Sequence, residues 1–320
     1  MQEDFQDPRP ILLSNVDFAK SRVELSDTPI VLLCGGPVNI KNHPDDPDLP
    51  LASLRDAISR SNTAYEIFRP EEIKSWQSDG IFKNLMDFEA DLASICSLVV
   101  IILESSGSLV ELGAFSQLPD LSEKIIAIRS SDFRDDPSFI NLGILRFIAE
   151  KHQSSVKSYP WDIKSPVNIT AEIIDDIISD IKEELGKLNK THVFKSFQPT
   201  HIIVLICEII KLFSALKESE ILEYLTLIGV VINKSELRRK LFLLEEFNLI
   251  KKETYGDPTF YMRSQEPYHR LRLSLKSEEH PDALRIQMEC VEYYNKDSKK
   301  HRNRIRAITQ AERGLRKNER

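Results

Sequence analysis

No apolar stretch in the sequence is long enough to cross a bilayer. The longest runs, 98–103 and 202–207, hold six residues each, against about 20 for a membrane-spanning helix. The opening Met1-Gln2-Glu3-Asp4 is acidic and lacks the basic-then-apolar order of a secretory signal. Only four cysteines occur, at 34, 96, 207 and 290, with no CxxC and no Cys/His cluster. That argues against a disulfide-stapled secreted fold and against a zinc module. The seven histidines form no HExxH, and neither a GxGxxG, a Walker loop nor a fixed-period repeat is present. The expectation is a soluble cytoplasmic protein with no membrane association, no metal and no cofactor.

What is there suits a folded chain. Its 320 residues correspond to roughly two domains, and 41% hydrophobic with 29% charged residues is the balance of an ordinary globular protein. Residues 1–28 are polar and acidic and read as an arm. From 29 to 160, strands expected over 30–34, 65–68, 98–103 and 124–128 alternate with helices expected over 51–61, 81–96 and 137–150. The run at 98–103 is continuous and rich in Val and Ile, as in a strand buried on both faces of a parallel sheet. This alternation predicts an α/β domain on a doubly wound parallel sheet. Ligands of such sheets bind outside the carboxyl ends of the strands.

Residues 161–198 form a connecting segment whose helix, over 168–188, carries Ile169, Ile173, Ile174, Ile177, Ile178 and Ile181 on one face. From 199 to 275, helices over 201–216, 219–227 and 234–247 precede short strands at 249–252 and 260–262, the layout of a winged helix. Residues 276–320 read as a helical basic tail. Ten Lys/Arg against three acids over 296–320 give +7, so the rest of the chain carries −14 of the overall −7. A basic tail on an acidic body fits a polyanion or an acidic protein surface as partner, or equally a solvated terminal helix.

The stretch Leu103-Glu104-Ser105-Ser106-Gly107-Ser108-Leu109-Val110-Glu111 leaves the strongest strand, turns at Gly107 and opens a helix. Main-chain N–H groups at such a start can hold a phosphate or a ribose oxygen. Glu104 and Glu111 flank the turn, and a carboxylate beneath a sugar ring can stabilise or attack the cation formed when a glycosidic bond breaks. The spacing also fits a capping box, Ser108-x-x-Glu111, in which Glu111 only satisfies the Ser108 N–H. At Cys34-Gly35-Gly36 the paired glycines allow either close backbone approach to a ligand or a tight turn. Cys34 reads as packing rather than as a nucleophile. Glu89 lies on the apolar side of its helix, where a buried carboxylate is costly unless partnered or used; helix rotation would instead leave it at the solvent edge. Within 233–241, Lys234, Arg238 and Arg239 are candidate phosphate contacts, with Lys251 and Lys252 on the wing. An ordinary solvated face is the alternative, since Glu245 and Glu246 follow directly.

Taken together, Cys34-Gly35-Gly36, Arg69-Pro70-Glu71-Glu72, Glu89, the 104–115 segment and Ser138-Phe139-Ile140-Asn141-Leu142-Gly143 with Arg146 resemble one family. It is the nucleoside 2-deoxyribosyltransferase-like effectors of type II-A retrons, and the resemblance is strongest over 28–150. It implies an N-glycosidase or ribosyltransferase domain followed by a winged-helix DNA-binding domain. It also implies a toxin of antiviral defence by abortive infection, held inactive by a reverse transcriptase and its msDNA/msrRNA. NAD or a related nucleotide is then a substrate, hydrolysed rather than used as a cofactor, and a homo-oligomer or filament is compatible with the plan. On this resemblance Glu111 and Glu104 are catalytic, while Cys34, Gly35, Gly36, Glu89, Gly107, Ser108 and Asn141 bind substrate. Lys299, Lys300, Arg302, Arg304 and Arg306 join Lys234, Arg238 and Arg239 in holding nucleic acid. Glu104 stands one residue further from Glu111 than the corresponding aspartate of the nucleoside transferases does from their catalytic glutamate. Two rivals stay open: a DNA-binding regulator that senses a nucleotide without cleaving it, and a deoxyribosyltransferase or hydrolase acting on nucleosides.

Overall fold

A computed structural model describes residues 6–318, apart from 42, 44, 46, 48, 74–79, 152, 265–267 and 278–281. The chain divides into two units, one of Asp27–Ser78 with Asn84–Asn189, the other of Met1–Ser26, Asp79–Lys83 and Lys190–Arg320.

In the first unit, five strands are all parallel: β1 (Ile30–Cys34), β2 (Glu66–Phe68), β3 (Leu98–Ile102), β4 (Ile125–Ser130) and β5 (Val156–Tyr159). Their order across the sheet is 2-1-3-4-5. Besides a single helical turn at Pro119–Ser122, the helices are α1 (Leu54–Ser59), α2 (Leu85–Ile95), α3 (Ser106–Ser116), α4 (Arg146–Lys151) and α5 (Ala171–Lys187). Val31 and Leu33 of β1, Val100 and Ile102 of β3, and Ile126 and Ile128 of β4 share one core with Leu54 and Ile58 of α1 and Ile177, Ile181 and Leu185 of α5. Side chains alternate along a strand, so Leu32, Val99, Ile101 and Ala127 face the other way, and they too are buried. On α3, which lies against β3 and β4, Leu112 and Phe115 are buried outside that shared core. The α/β class with a parallel sheet is therefore as expected. An order of 2-1-3-4-5 reverses direction between β1 and β3, and that reversal opens a crevice at their carboxyl ends.

Several boundaries move for local reasons. Helix α2 starts at Leu85 rather than at 81 because the Asn84 side chain accepts from the Asp87 N–H and caps it. Helix α1 starts after Ser53, which caps the Asp56 N–H in the same way. The single helix expected over 137–150 is a π-helical turn, Ile140–Leu145, running into α4. Strand β5 lay outside the expected set because it is an edge strand, half-buried throughout, with no need of an apolar run.

In the second unit, α6 (Pro199–Leu212), α7 (Glu218–Leu227) and α8 (Lys234–Glu246) precede an antiparallel hairpin of β6 (Ile250–Thr254) and β7 (Thr259–Arg263). Helices α9 (Ala283–Lys296) and α10 (Arg302–Asn318) follow. The segment read as an arm instead contributes a helix, Pro8–Asn15, and a strand, Arg22–Glu24, which pairs with Thr191–Val193 and Arg270–Arg272 in a three-stranded antiparallel sheet. The basic tail is likewise part of the fold, because Ala307 and Ala311 of α10 pack with Ala215, Phe260 and Met262. Among the described residues, no helix is long and apolar enough to cross a membrane.

Candidate functional site

The crevice between β1 and β3 is bounded by Cys34, Gly35 and Gly36 on one side and by Glu104 and Ser105 on the other. The glycine pair is required by the protein's own packing there. A Cβ on Gly36 would stand 2.8 Å from Ser53 Cβ and 3.0 Å from Glu104 Cδ. Close backbone approach does occur, as the sequence suggests, but the partner approached is Glu104.

Both carboxylate oxygens of Glu104 are engaged by main-chain amides. Its Oε1 accepts from the Gly36 and Arg55 N–H groups, each at 3.0 Å, and its Oε2 from the Leu54 N–H at 2.8 Å. Burial pushes its pKa up, and these main-chain bonds oppose the rise. The carboxylate thus binds the start of α1 and the turn after β1 to the end of β3. Its expected catalytic role is corrected to a positioning one, since the donors it satisfies are the chain's own amides.

The capping alternative for Glu111 also falls. Ser105 is the N-cap of α3, and it exchanges hydrogen bonds with Ser108 in a capping box. Ser108 is fully buried and its Oγ donates to the Ser105 carbonyl at 2.9 Å, so its expected place in a ligand loop is corrected to a cap. Gly107 is exposed in the first turn, where main-chain N–H groups have no intrahelical acceptor.

Glu111 sits in mid-helix, apart from the cap, and its Oε2 is buried without a hydrogen-bond partner. Burial pushes its pKa up, while the charge of Arg55 and a hydrogen bond from the Cys34 thiol act against that rise. Cys34 is itself buried and its thiol is pushed well up by burial first and by the Glu111 charge second, so it serves as a donor and not as a thiolate. Glu89, 8% exposed, is pushed up to about 7, by burial first and then by the charges of Glu111 and Glu71. Three carboxylates therefore surround one buried cation. Arg55 grips Glu71 with both ends of its fork, at 2.7 and 2.6 Å, and donates to the carbonyls of Leu33 at 2.9 Å and Gly36 at 3.2 Å. Burial raises the Glu71 pKa, but the Arg55 bonds and charge outweigh it and hold the carboxyl low. With Arg55 committed to Glu71, the pair Glu89 and Glu111 keeps an excess of negative charge. The sequence alone assigns no role to Arg55 or Glu71, although Arg55 and Asp56 stand out as charges in the otherwise apolar Leu54-Arg55-Asp56-Ala57-Ile58 stretch.

Beside Glu104, at the ends of β3 and β4, lies a cleft of about 330 Å³ walled by Ser105, Leu109, Arg129, Phe133 and Ile140, among others. Asn141 belongs to this wall, but its amide is engaged. It accepts from Arg129 Nη1 at 2.5 Å and donates to the carbonyls of Phe133 at 2.6 Å and Asp136 at 2.7 Å. Asn141 thus shapes the wall and aims Arg129, a residue not anticipated. Glu89 and Glu111 are not part of this wall.

The cationic candidates divide. Arg238 and Lys234 are paired with Glu218 at 3.0 and 3.7 Å, and the Arg239 guanidinium lies 5.9 Å from the centre of the Phe82 ring. Lys299, Lys300 and Arg302 are exposed, and Arg306 donates to the Tyr255 hydroxyl at 2.8 Å. Arg304 is a correction: it is 3% exposed and bonded to Glu220. The reason is helical phase, because Arg304, Ala307 and Ala311 fall on the buried face of α10.

A family model described as STM3845 retron effector protein matches residues 51–252. Two Escherichia coli proteins, named retron Ec73 and retron Ec86 putative ribosyltransferase/DNA-binding protein, are 37% identical over 81 residues and 32% identical over 130 residues. Those stretches are 25% and 39% of this chain, and the chain spans only 26% and 39% of the length of these relatives. With the family match extending over more than half of its 320 residues, the chain belongs to the STM3845 family of retron effector proteins.

Proposed function

We propose that this retron effector is a toxin whose α/β unit cleaves the N-glycosidic bond of NAD or a related nucleotide. One observation carries the reading: Glu111, beside the last residue of β1, keeps a buried carboxylate oxygen with nothing to bond. Such an acceptor costs about 1–3 kcal/mol in a folded protein, and a sugar cation formed against it would offset that cost. As the bond from C1′ to the base nitrogen breaks, its electron pair leaves with the base and positive charge develops on the pentose. The ionised Glu111 stabilises or traps that charge, and water then adds to C1′. Nicotinamide leaves NAD as a neutral molecule, so this step needs no proton donor. Glu89 orients the ribose hydroxyls, and for an unactivated base it would be the proton donor, because its pKa of about 7 keeps it partly protonated at neutral pH. First-turn amides at Ser106 and Gly107 are suited to a phosphate oxygen.

In the second unit, α8 and the β6–β7 hairpin act as a winged-helix-like surface for the retron's msDNA. That complex, with the reverse transcriptase, holds the toxin inactive until infection disturbs it. The words ribosyltransferase and DNA-binding in the relatives' names support both halves of the proposal. The test is a base-release assay on the purified full-length chain with NAD, a nucleotide and a deoxynucleoside side by side. Free nicotinamide from NAD is the expected product. Binding of NAD without any base release would favour the nucleotide-sensing regulator instead.

A further inference from the structure

The second unit holds a small polar cavity of about 270 Å³, lined by Arg9, Lys217, Glu220, Lys300, His301 and Arg304, among others, and by no residue of α8. Two guanidinium groups meet there on one aromatic floor. Arg9 and Arg304 stand 5.3 and 4.7 Å from the centre of the Tyr294 ring, and both donate to Glu220, at 2.9 Å and 2.6 Å. Cation–π contact and a shared carboxylate explain how two like charges are buried together. They do not satisfy the site. Arg304 is only 3% exposed, and its Nε and Nη1 are buried with no partner. His301 Nε2, in the same wall, is equally without one. Asp7 is the other acid in the lining, so four cations face two carboxylates.

The missing component is an acceptor with negative charge. We propose that this cavity is a binding site for a phosphate group, held by the unpartnered Arg304 donors and neutralised by Lys217 and Lys300. Two surplus positive charges match a phosphate dianion. The volume is below the roughly 300–1,000 Å³ of sites that enclose drug-sized ligands, which suits a phosphate and its nearest atoms rather than a whole dinucleotide. The wall draws on the N-terminal helix, α7, the hairpin and α10, so occupancy ties together segments far apart in sequence. The site does not depend on the catalytic reading of Glu111, and either can fail without the other.

The test is calorimetric binding to the full chain of inorganic phosphate, AMP, and a short single-stranded DNA with either a 5′-phosphate or a 5′-hydroxyl. Phosphate binding at millimolar concentration, above a chloride control of equal ionic strength, is expected. Lys300→Gln, an exposed change that leaves the fold intact, should weaken it roughly tenfold, as for one charge-assisted hydrogen bond. Lys276→Gln, exposed in the same unit and outside the lining, should not. A preference for AMP assigns a free nucleotide as the source, and a preference for the 5′-phosphorylated strand assigns a strand end. No binding by any of the four probes, or equal binding by wild type and by a Lys217→Gln/Lys300→Gln double variant, overturns the proposal.

Discussion

Replacing Glu89 with Gln should make the α/β unit more stable at alkaline pH and leave it unchanged in acid. The Glu89 carboxyl is raised from an ordinary 4.5 to about 7, chiefly by burial and secondly by the Glu111 charge. A group raised in this way favours the fold fully below its unfolded pKa and loses that contribution as pH climbs through the folded value. At about 1.4 kcal/mol per pH unit, wild type forfeits roughly 3 kcal/mol between about pH 4.5 and pH 7. Gln keeps the shape and never ionises. For a unit of this size, about 2–4 °C per kcal/mol converts the difference to roughly 6–12 °C in Tm. Thermal melts followed by tryptophan fluorescence, with Trp161 buried in this unit's core, should therefore separate the two proteins at about pH 8 and superimpose them at about pH 4.5. A constant offset between variant and wild type at both pH values would refute the reasoning. The expected gain fits a functional carboxyl kept where it harms stability.

Glu104→Gln would turn an amide nitrogen toward a main-chain N–H, most directly that of Leu54, costing about 1–3 kcal/mol, so the measured Tm should drop; because burial raises this carboxyl too, the deficit should narrow as pH climbs. An unchanged Tm would remove Glu104 from its positioning role. All four cysteines should resist a thiol reagent in the native protein, because Cys34, Cys96 and Cys290 are buried and burial raises every one of the four thiols. Four thiols should react after denaturation, and a rapidly reacting thiol in the native protein would contradict the burial described.

What could be read from sequence followed from whether a residue's environment is set locally. Strands β1 and β3 announce themselves as unbroken apolar runs because both of their faces are covered. Strand β5 is at an edge, and Val156-Lys157-Ser158-Tyr159 carries no such requirement. The approach of Glu111 to Cys34 was implied only by a motif order, since it depends on β1 and β3 being neighbours, a contact between residues about 77 apart that spacing alone cannot reveal. Glu104 misled for the same reason: its acidity is visible in the sequence, but the three amides that occupy it come from Gly36, Leu54 and Arg55. Arg304 was counted with the surface cations on composition, although its spacing to Ala307 and Ala311 already marks a buried helical face. The sequence pattern located the mouth of the sheet, and the side-chain hydrogen bonds then decided which carboxylates remain available there.

The central claim is that Glu111 acts on the reacting sugar, and its most direct measurement is nicotinamide release from NAD by Glu111→Gln beside wild type. Gln keeps the volume and removes the charge, so the variant should fold normally, since the buried oxygen has no partner to lose, while the rate falls by about 10²–10³. A folded Glu111→Gln protein that releases nicotinamide as fast as wild type would contradict the account.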